Sequence, residues 1–176
     1  LLPNTDPLDK VTIIPRGQAL GATEQIPGEE RHNLSESYLR DRIGVMLGGR
    51  ISEKLIFGEF SSGAEEDLKQ ATRLARHMVS HWGMSEKIGP VVFRRGEEHI
   101  FLGREMTQQK DFSEHTAQII DDEIHALVHG IEEKITELLK THRPQLEALA
   151  GALLEKETLE AAEIQAIIEA KPQAIQ

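Results

Sequence analysis

Asp67 is the carboxylate whose position most needs explaining. In the regular helical stretch from about Ala64 to Trp82, a turn of about 100° per residue puts Ala71, Ala75, Met78 and Trp82 within roughly 20° to 80° of it. Asp67 therefore lies on or beside the expected apolar stripe, while Glu65 and Glu66 point elsewhere. A carboxylate there must be paired, hydrogen-bonded or bound to a metal, because burying it bare is too costly. The plainer alternative is an acid in the first helical turn that complements the helix dipole, and periodicity alone favours it. Two HxxxH spacings, His77/His81 and His125/His129, could chelate zinc from one helical face. A protease of the HExxH type also needs glutamate directly after the first histidine, as base for the metal-bound water. Here those positions hold Met78 and Ala126, and neither pair falls squarely on its helix's apolar stripe, so both read as solvated surface. Glu53 is a further carboxylate near a helix, read as a surface acid or an ion-pair partner of a nearby Arg or Lys. Phosphate-loop, dinucleotide and nucleophile-elbow patterns are absent from the sequence.

The elements that must position these groups are mainly helical. Val11-Thr12-Ile13-Ile14 reads as a strand closed by Pro15-Arg16-Gly17, and Ala19 to Ile26 as a second strand ended by Pro27-Gly28. Ser35 can cap a helix carrying Leu39, Ile43, Met46 and Leu47. Gly48-Gly49 is expected to break or bend it, with a second piece from Arg50 to Phe57 ending at Gly58. The helix of Asp67 is expected to bury Leu68, Ala71, Ala75, Met78 and Trp82 and to stop at Gly83. Val91-Val92-Phe93 and Ile100-Phe101-Leu102 suggest a small hairpin. A long helix from about Ser113 to Thr141 carries Ile120, Ile124, Leu127, Ile131, Ile135 and Leu138 on one stripe. Pro144 can open the next helix, and Thr158 can cap a last one running to about Ala170.

Composition bounds the function. The 176 residues have a 39% hydrophobic share and 14 glycines, as an ordinary globular chain does. Cysteine is absent, which excludes disulfides, zinc-thiolate sites and thiol nucleophiles. The formal charge of −10, most of it beyond residue 90, argues against nucleic-acid binding by charge. Neither a membrane-length apolar run nor a signal-peptide pattern is present. The chain opens on Leu1 without methionine, as expected of a fragment.

Separated motifs in order carry a resemblance. They are Asp6-Pro7, Lys10 to Gly17 and Ala19-Leu20-Gly21; then Leu47 to Gly58; then Ser62-Gly63-Ala64-Glu65-Glu66-Asp67-Leu68, Ala71 to Ala75-Arg76 and Trp82 to Pro90. Downstream, Phe101 to Arg104, Ser113-Glu114, Thr116-Ala117 and Ile120-Asp121 follow. The chain resembles the peptidase domain of the FtsH family, membrane-anchored, ATP-dependent zinc metalloproteases. The resemblance implies a mainly α metallopeptidase domain with a small β part near its N-terminus and a long C-terminal helical bundle. Residues 1–111 would be the C-terminal part of the peptidase core, and residues 112–176 a helical subdomain. In the family, zinc is held by the histidines of an HEAGH helix and by the aspartate of a Ser/Thr-Gly-Ala-x-x-Asp pattern, which makes Asp67 the implied ligand. Glu53 matches a family glutamate that is a rival for that duty. Glu65-Glu66 stand where the family usually has Ser-Asn, and Lys54 where it has glutamate; both read as surface variation.

The same resemblance implies a homo-hexameric ring beneath an ATPase ring that uses ATP and magnesium, and membrane and soluble proteins as substrates. The enzyme would be anchored in the membrane with this domain on the cytoplasmic or an equivalent side, and the fragment itself soluble. The general-base glutamate is expected upstream of Leu1, so no catalytic residue is assigned and the fragment alone is expected to be inactive. Substrate is expected to lie extended along a strand edge supplied by Val11, Thr12, Ile13 and Ile14, or by Gly21 to Gln25. Competing readings are a non-catalytic, ring-forming scaffold that has lost HEAGH and, more weakly, an independent helical interaction module over residues 112–170.

Overall fold

The computed structural model describes residues 1–15, 22–25, 33–93 and 112–170, with Ala22 described by its backbone only. The chain forms two compact units, residues 35–135 and residues 1–34 with 136–176. The architecture is mainly α, with a small sheet that includes the N-terminal strands.

In the unit of residues 35–135, helix α1 spans Glu36–Phe57. It begins where the Ser35 hydroxyl accepts the Tyr38 N–H at 3.3 Å. It ends where Gly58 adopts φ 79° and donates its N–H to the Lys54 carbonyl at 3.1 Å. Contrary to expectation, α1 runs unbroken through Gly48-Gly49. Each glycine costs about 0.5–1 kcal/mol relative to alanine in a helix interior. Leu39, Ile43, Leu47 and Ile51 are all buried, and at roughly 1.5–3 kcal/mol per side chain their burial outweighs that cost.

After a 3-10 turn at Ser62–Ala64 comes helix α2, Glu65–Ser80. Ala71, Ala75 and Met78 are buried as expected, but Leu68 and Trp82 are 38% and 45% exposed. Burial on this helix begins at Ala71 and runs to its last residue, Ser80, leaving the first turn uncovered, and Trp82 lies beyond the helix. Gly83, at φ 63°, approaches Pro90 so closely that a Cβ would stand 3.2 Å from the Pro90 Cα. Val91 to Phe93 form no strand; the Phe93 N–H bonds the Ser80 carbonyl at 2.8 Å. The other half of the expected hairpin lies outside the described residues. Helix α3, Glu114–Thr141, starts at Ser113, whose hydroxyl accepts the Thr116 N–H. Ile120, Ile124, Ile131 and Ile135 are buried and Leu127 is half-buried. Lys134 pairs with the buried Asp41 of α1 at 3.8 Å, and Glu123 accepts the Ser85 hydroxyl at 2.8 Å. The apolar stripe of α3 is thus buried, and residues 112–170 are divided between the two units at position 135 instead of forming one separate module.

The other unit holds strands β1 (Leu8–Thr12), β2 (Ala22–Gln25) and β3 (Thr158–Glu160), in the order β2-β1-β3 and all antiparallel. It also holds the last turns of α3 and helices α4 (Arg143–Lys156) and α5 (Ala161–Glu169). Pro144 stands in the first turn of α4, as expected. Thr158 is not a helix cap. It belongs to β3, and its hydroxyl meets that of the buried Thr12 at 2.8 Å. Glu160 caps α5 instead, through a reciprocal capping box with Glu163. Ala19 to Gly21 and Ile26 of the expected second strand lie outside the described residues. No helix among the described residues is long and apolar enough to cross a membrane.

Candidate metal centre

Asp67 sits in the first turn of α2 with its side chain exposed, not on a covered stripe. The turn before it is built by three residues. The Ser61 hydroxyl donates to the Glu53 carboxylate of α1, 3.0 Å from each oxygen, and the Ser61 N–H reaches Oε2 at 3.3 Å. The same hydroxyl accepts the Gly63 N–H at 3.1 Å, capping the 3-10 turn. A Cβ on Gly63 would stand 3.3 Å from the Ser61 Oγ and 3.9 Å from a Glu53 oxygen. Side chains larger than hydrogen at position 63 therefore press on the cap. Ala64 is buried. Small residues at 63 and 64 thus have a local steric reason.

Three acids share the first turn of α2. Glu65 pairs with Lys69 at 2.6 Å, and Glu66 accepts from Gln70 at 3.3 Å. Asp67 has no hydrogen bond or ion pair among the described residues. Its carboxylate is an oxygen donor suited to zinc, unconsumed by its neighbours and open to approach, so the residue fits the role of a single metal ligand. It cannot hold a metal alone. No group of at least three metal-ligating side chains exists among the described residues, so further ligands would have to come from outside them.

The other expected groups are not brought to Asp67. Glu53 is engaged by Ser61 and, among the described residues, by no Arg or Lys. The cationic groups near that end of α1 serve Phe60: the Arg50 guanidinium lies 3.5 Å from the ring centroid and the Lys54 ammonium 5.0 Å. His77 and His81 stack with ring centroids 4.9 Å apart, and the His77 Nδ1 lies 2.9 Å from the Arg73 carbonyl oxygen. His125 and His129 meet edge to face on an exposed side of α3. An open cleft of about 600 Å³, lined in part by Arg40, Ser85, Lys87 and Glu123, does not include Asp67.

The strand expected to receive substrate needs correction. Lys10, Val11 and Thr12 pair with Glu24, Thr23 and Ala22 on one side and with Glu160, Leu159 and Thr158 on the other. β1 is the central strand, so its ladder groups are already used and it offers no free edge over these residues. Ile13 and Ile14 lie past the strand, and their N–H groups bond the Glu157 carbonyl and the Thr12 hydroxyl. The outer side of β2, Ala22–Gln25, is an edge of the described sheet. Sequence reasoning missed the Ser61 clamp, because Ser61-Ser62 offers two equivalent capping serines and only the fold selects one. It also missed Asp41 and Glu123, whose partners lie on other elements.

The family model for Peptidase family M41 matches residues 1–167. The chain is similar to a protein of Nitrosococcus oceani named ATP-dependent zinc metalloprotease FtsH, 63% identical over 95% of this chain and 26% of that protein. It is also similar to proteins of the same name from Marinobacter nauticus, 54% identical over 96% of the chain and 26% of the relative, and Syntrophotalea carbinolica, 52% over 96% and 26%. The chain thus spans about a quarter of the length of these curated relatives.

Proposed function

Because the chain belongs to peptidase family M41, we propose that it is part of an ATP-dependent zinc metalloendopeptidase acting on proteins, and that Asp67 is its contribution to the metal. The support is the unpartnered, exposed Asp67 carboxylate, set at the helix start by the Glu53–Ser61–Gly63 turn. Zinc held there together with groups from outside the described residues would polarise a peptide carbonyl and acidify a bound water. This chain's own tasks are narrower. Asp67 presents an anionic oxygen, and α1 and α2 hold its backbone in place. The general base is not assigned to this chain, since none of its histidines is followed by glutamate. These 176 residues alone would therefore not cleave peptides. By role, residues 1–111 would supply the peptidase-core part and residues 112–176 helical support, a division that does not coincide with the two compact units. A homo-hexameric assembly, a membrane anchor, and the ATP- and magnesium-dependent motor belong to this proposal for the whole protein.

With β1 sealed on both sides, the outer edge of β2 is the better place for an extended substrate chain, which would add main-chain hydrogen bonds there. Proline at Thr23 or at Glu24, the one of these two neighbours that directs its N–H outward, is expected to raise KM for peptide cleavage in the full-length enzyme. Unchanged kinetics for both variants would reject that edge.

Zinc per chain in the full-length protein, measured by elemental analysis with and without Asp67→Asn, tests the main reading. About one zinc in the parent and strong loss in the variant are expected. A parent without zinc would reject the reading in favour of a ring-forming scaffold. A parent with zinc that Asp67→Asn leaves intact would remove Asp67 from the ligand set.

A further inference from the structure

We propose that Glu53 is a positioning residue that fixes the entry of α2, and through it the placement of Asp67, by clamping Ser61. This rests on the reading of Asp67 as a metal ligand.

Glu53 lies in the last turns of α1 and Asp67 in the first turn of α2, with the chain reversing between them through the left-handed Gly58. Such a connection has many conformations unless something ties its two sides together. The tie is the bidentate contact of the Glu53 carboxylate with the Ser61 hydroxyl, at 3.0 Å to each oxygen, reinforced by the Ser61 N–H at 3.3 Å. The charged acceptor strengthens these hydrogen bonds. The Ser61 oxygen then holds the Gly63 N–H at 3.1 Å, and the 3-10 turn Ser62–Ala64 runs directly into α2. Each link is one hydrogen bond from the next, and Asp67 is three residues beyond the turn. Gly63 leaves just enough room for the clamp, its would-be Cβ lying 3.3 Å from the Ser61 oxygen. Glu53 thus acts on the metal site through Ser61, not as a ligand itself. A ligand is only as well placed as the groups that orient it, and losing such a partner typically weakens a metal site about 10- to 100-fold.

The test uses the zinc-bound full-length enzyme and measures zinc affinity by competition with a chromophoric chelator, so that no activity is needed. Glu53→Ala and Ser61→Ala are each expected to weaken zinc about 10-fold or more. The double variant should be no weaker than either single one, since both break one chain of contacts. Ser61→Thr, which keeps the hydroxyl, is expected to retain affinity. Additive losses in the double variant would overturn the proposal, pointing to Glu53 as a ligand in its own right. Unchanged affinity in Glu53→Ala, alongside loss in Asp67→Asn, would overturn it while leaving Asp67 a ligand. Unchanged affinity in Asp67→Asn would overturn both readings together.

Discussion

Among single residues, Glu123 shows how a carboxylate can hold a loop to a helix. It is 16% exposed and accepts from the Lys87 ammonium at 2.6 Å and the Ser85 hydroxyl at 2.8 Å. The hydrogen bond from Lys87, then that from Ser85, holds its carboxyl below the usual carboxylate range, against the opposing effect of burial. A carboxyl with a lowered folded-state pKa stabilises the fold above its unfolded-state pKa and loses that contribution as pH falls through the folded-state value. Glu123→Gln is therefore expected to destabilise the protein by about 1 kcal/mol or more at neutral pH. The difference from the parent should close in acid, measured by urea unfolding across pH. A gap that stays constant down to acid pH would show that the charge of Glu123 contributes nothing. Ser85, which is buried, should matter more than the exposed Lys87. Asp67 differs in kind from Glu123: its side chain has no described partner to lose, so in the metal-free protein Asp67→Asn should leave stability nearly unchanged while removing the proposed ligand.

At the scale of elements, glycines separate tolerated cost from required geometry. A Cβ at Gly48 or Gly49 would meet nothing within 4 Å, and both lie in the interior of α1. Gly49→Ala is expected to stabilise the protein by about 0.5–1 kcal/mol, by helix propensity alone. Gly83→Ala is expected to do the reverse, costing about 1 kcal/mol or more, because its φ of 63° disfavours a side chain and the Pro90 backbone is too close. Thermal unfolding of the two variants beside the parent checks both signs at once. Equal shifts in the same direction would contradict the steric argument. The caps of α1 were legible in the sequence, since Ser35 and Gly58 act within one turn of their own position. Its continuity was not, because the packing that outweighs two glycines comes from other elements.

At the scale of the whole molecule, one unit is assembled from both ends of the chain. β3 pairs with β1, and the Thr12 hydroxyl reaches the Glu157 carbonyl across 145 positions of sequence. Leu159, 1% exposed, contributes the buried side chain of β3. Removing residues 157–176 would uncover one side of β1 and leave its N–H and C=O groups without partners. The truncated protein is expected to lose protease resistance in residues 1–34 and to aggregate, while residues 35–135 stay protected. Limited proteolysis read by mass spectrometry, with light scattering, checks this. A monomeric truncated protein with unchanged cleavage sites would show that β3 is dispensable.

The sequence by itself determined the helical character, the two ends of α1 through Ser35 and Gly58, the opening of α4 at Pro144, and the stripe of α3. These rest on propensity, capping and periodicity, which act between residues a few positions apart. Only the tertiary structure decided that α1 passes through Gly48-Gly49, that β1 is sealed on both sides, that Thr158 pairs in a sheet instead of capping a helix, and that Glu53 answers to Ser61. Burial and strand pairing join residues distant in the chain, and one partner's local sequence does not identify the other. The first turn of α2 stands between these cases. Its motif was readable residue by residue, but the openness of Asp67 follows from which parts of α2 its neighbours cover.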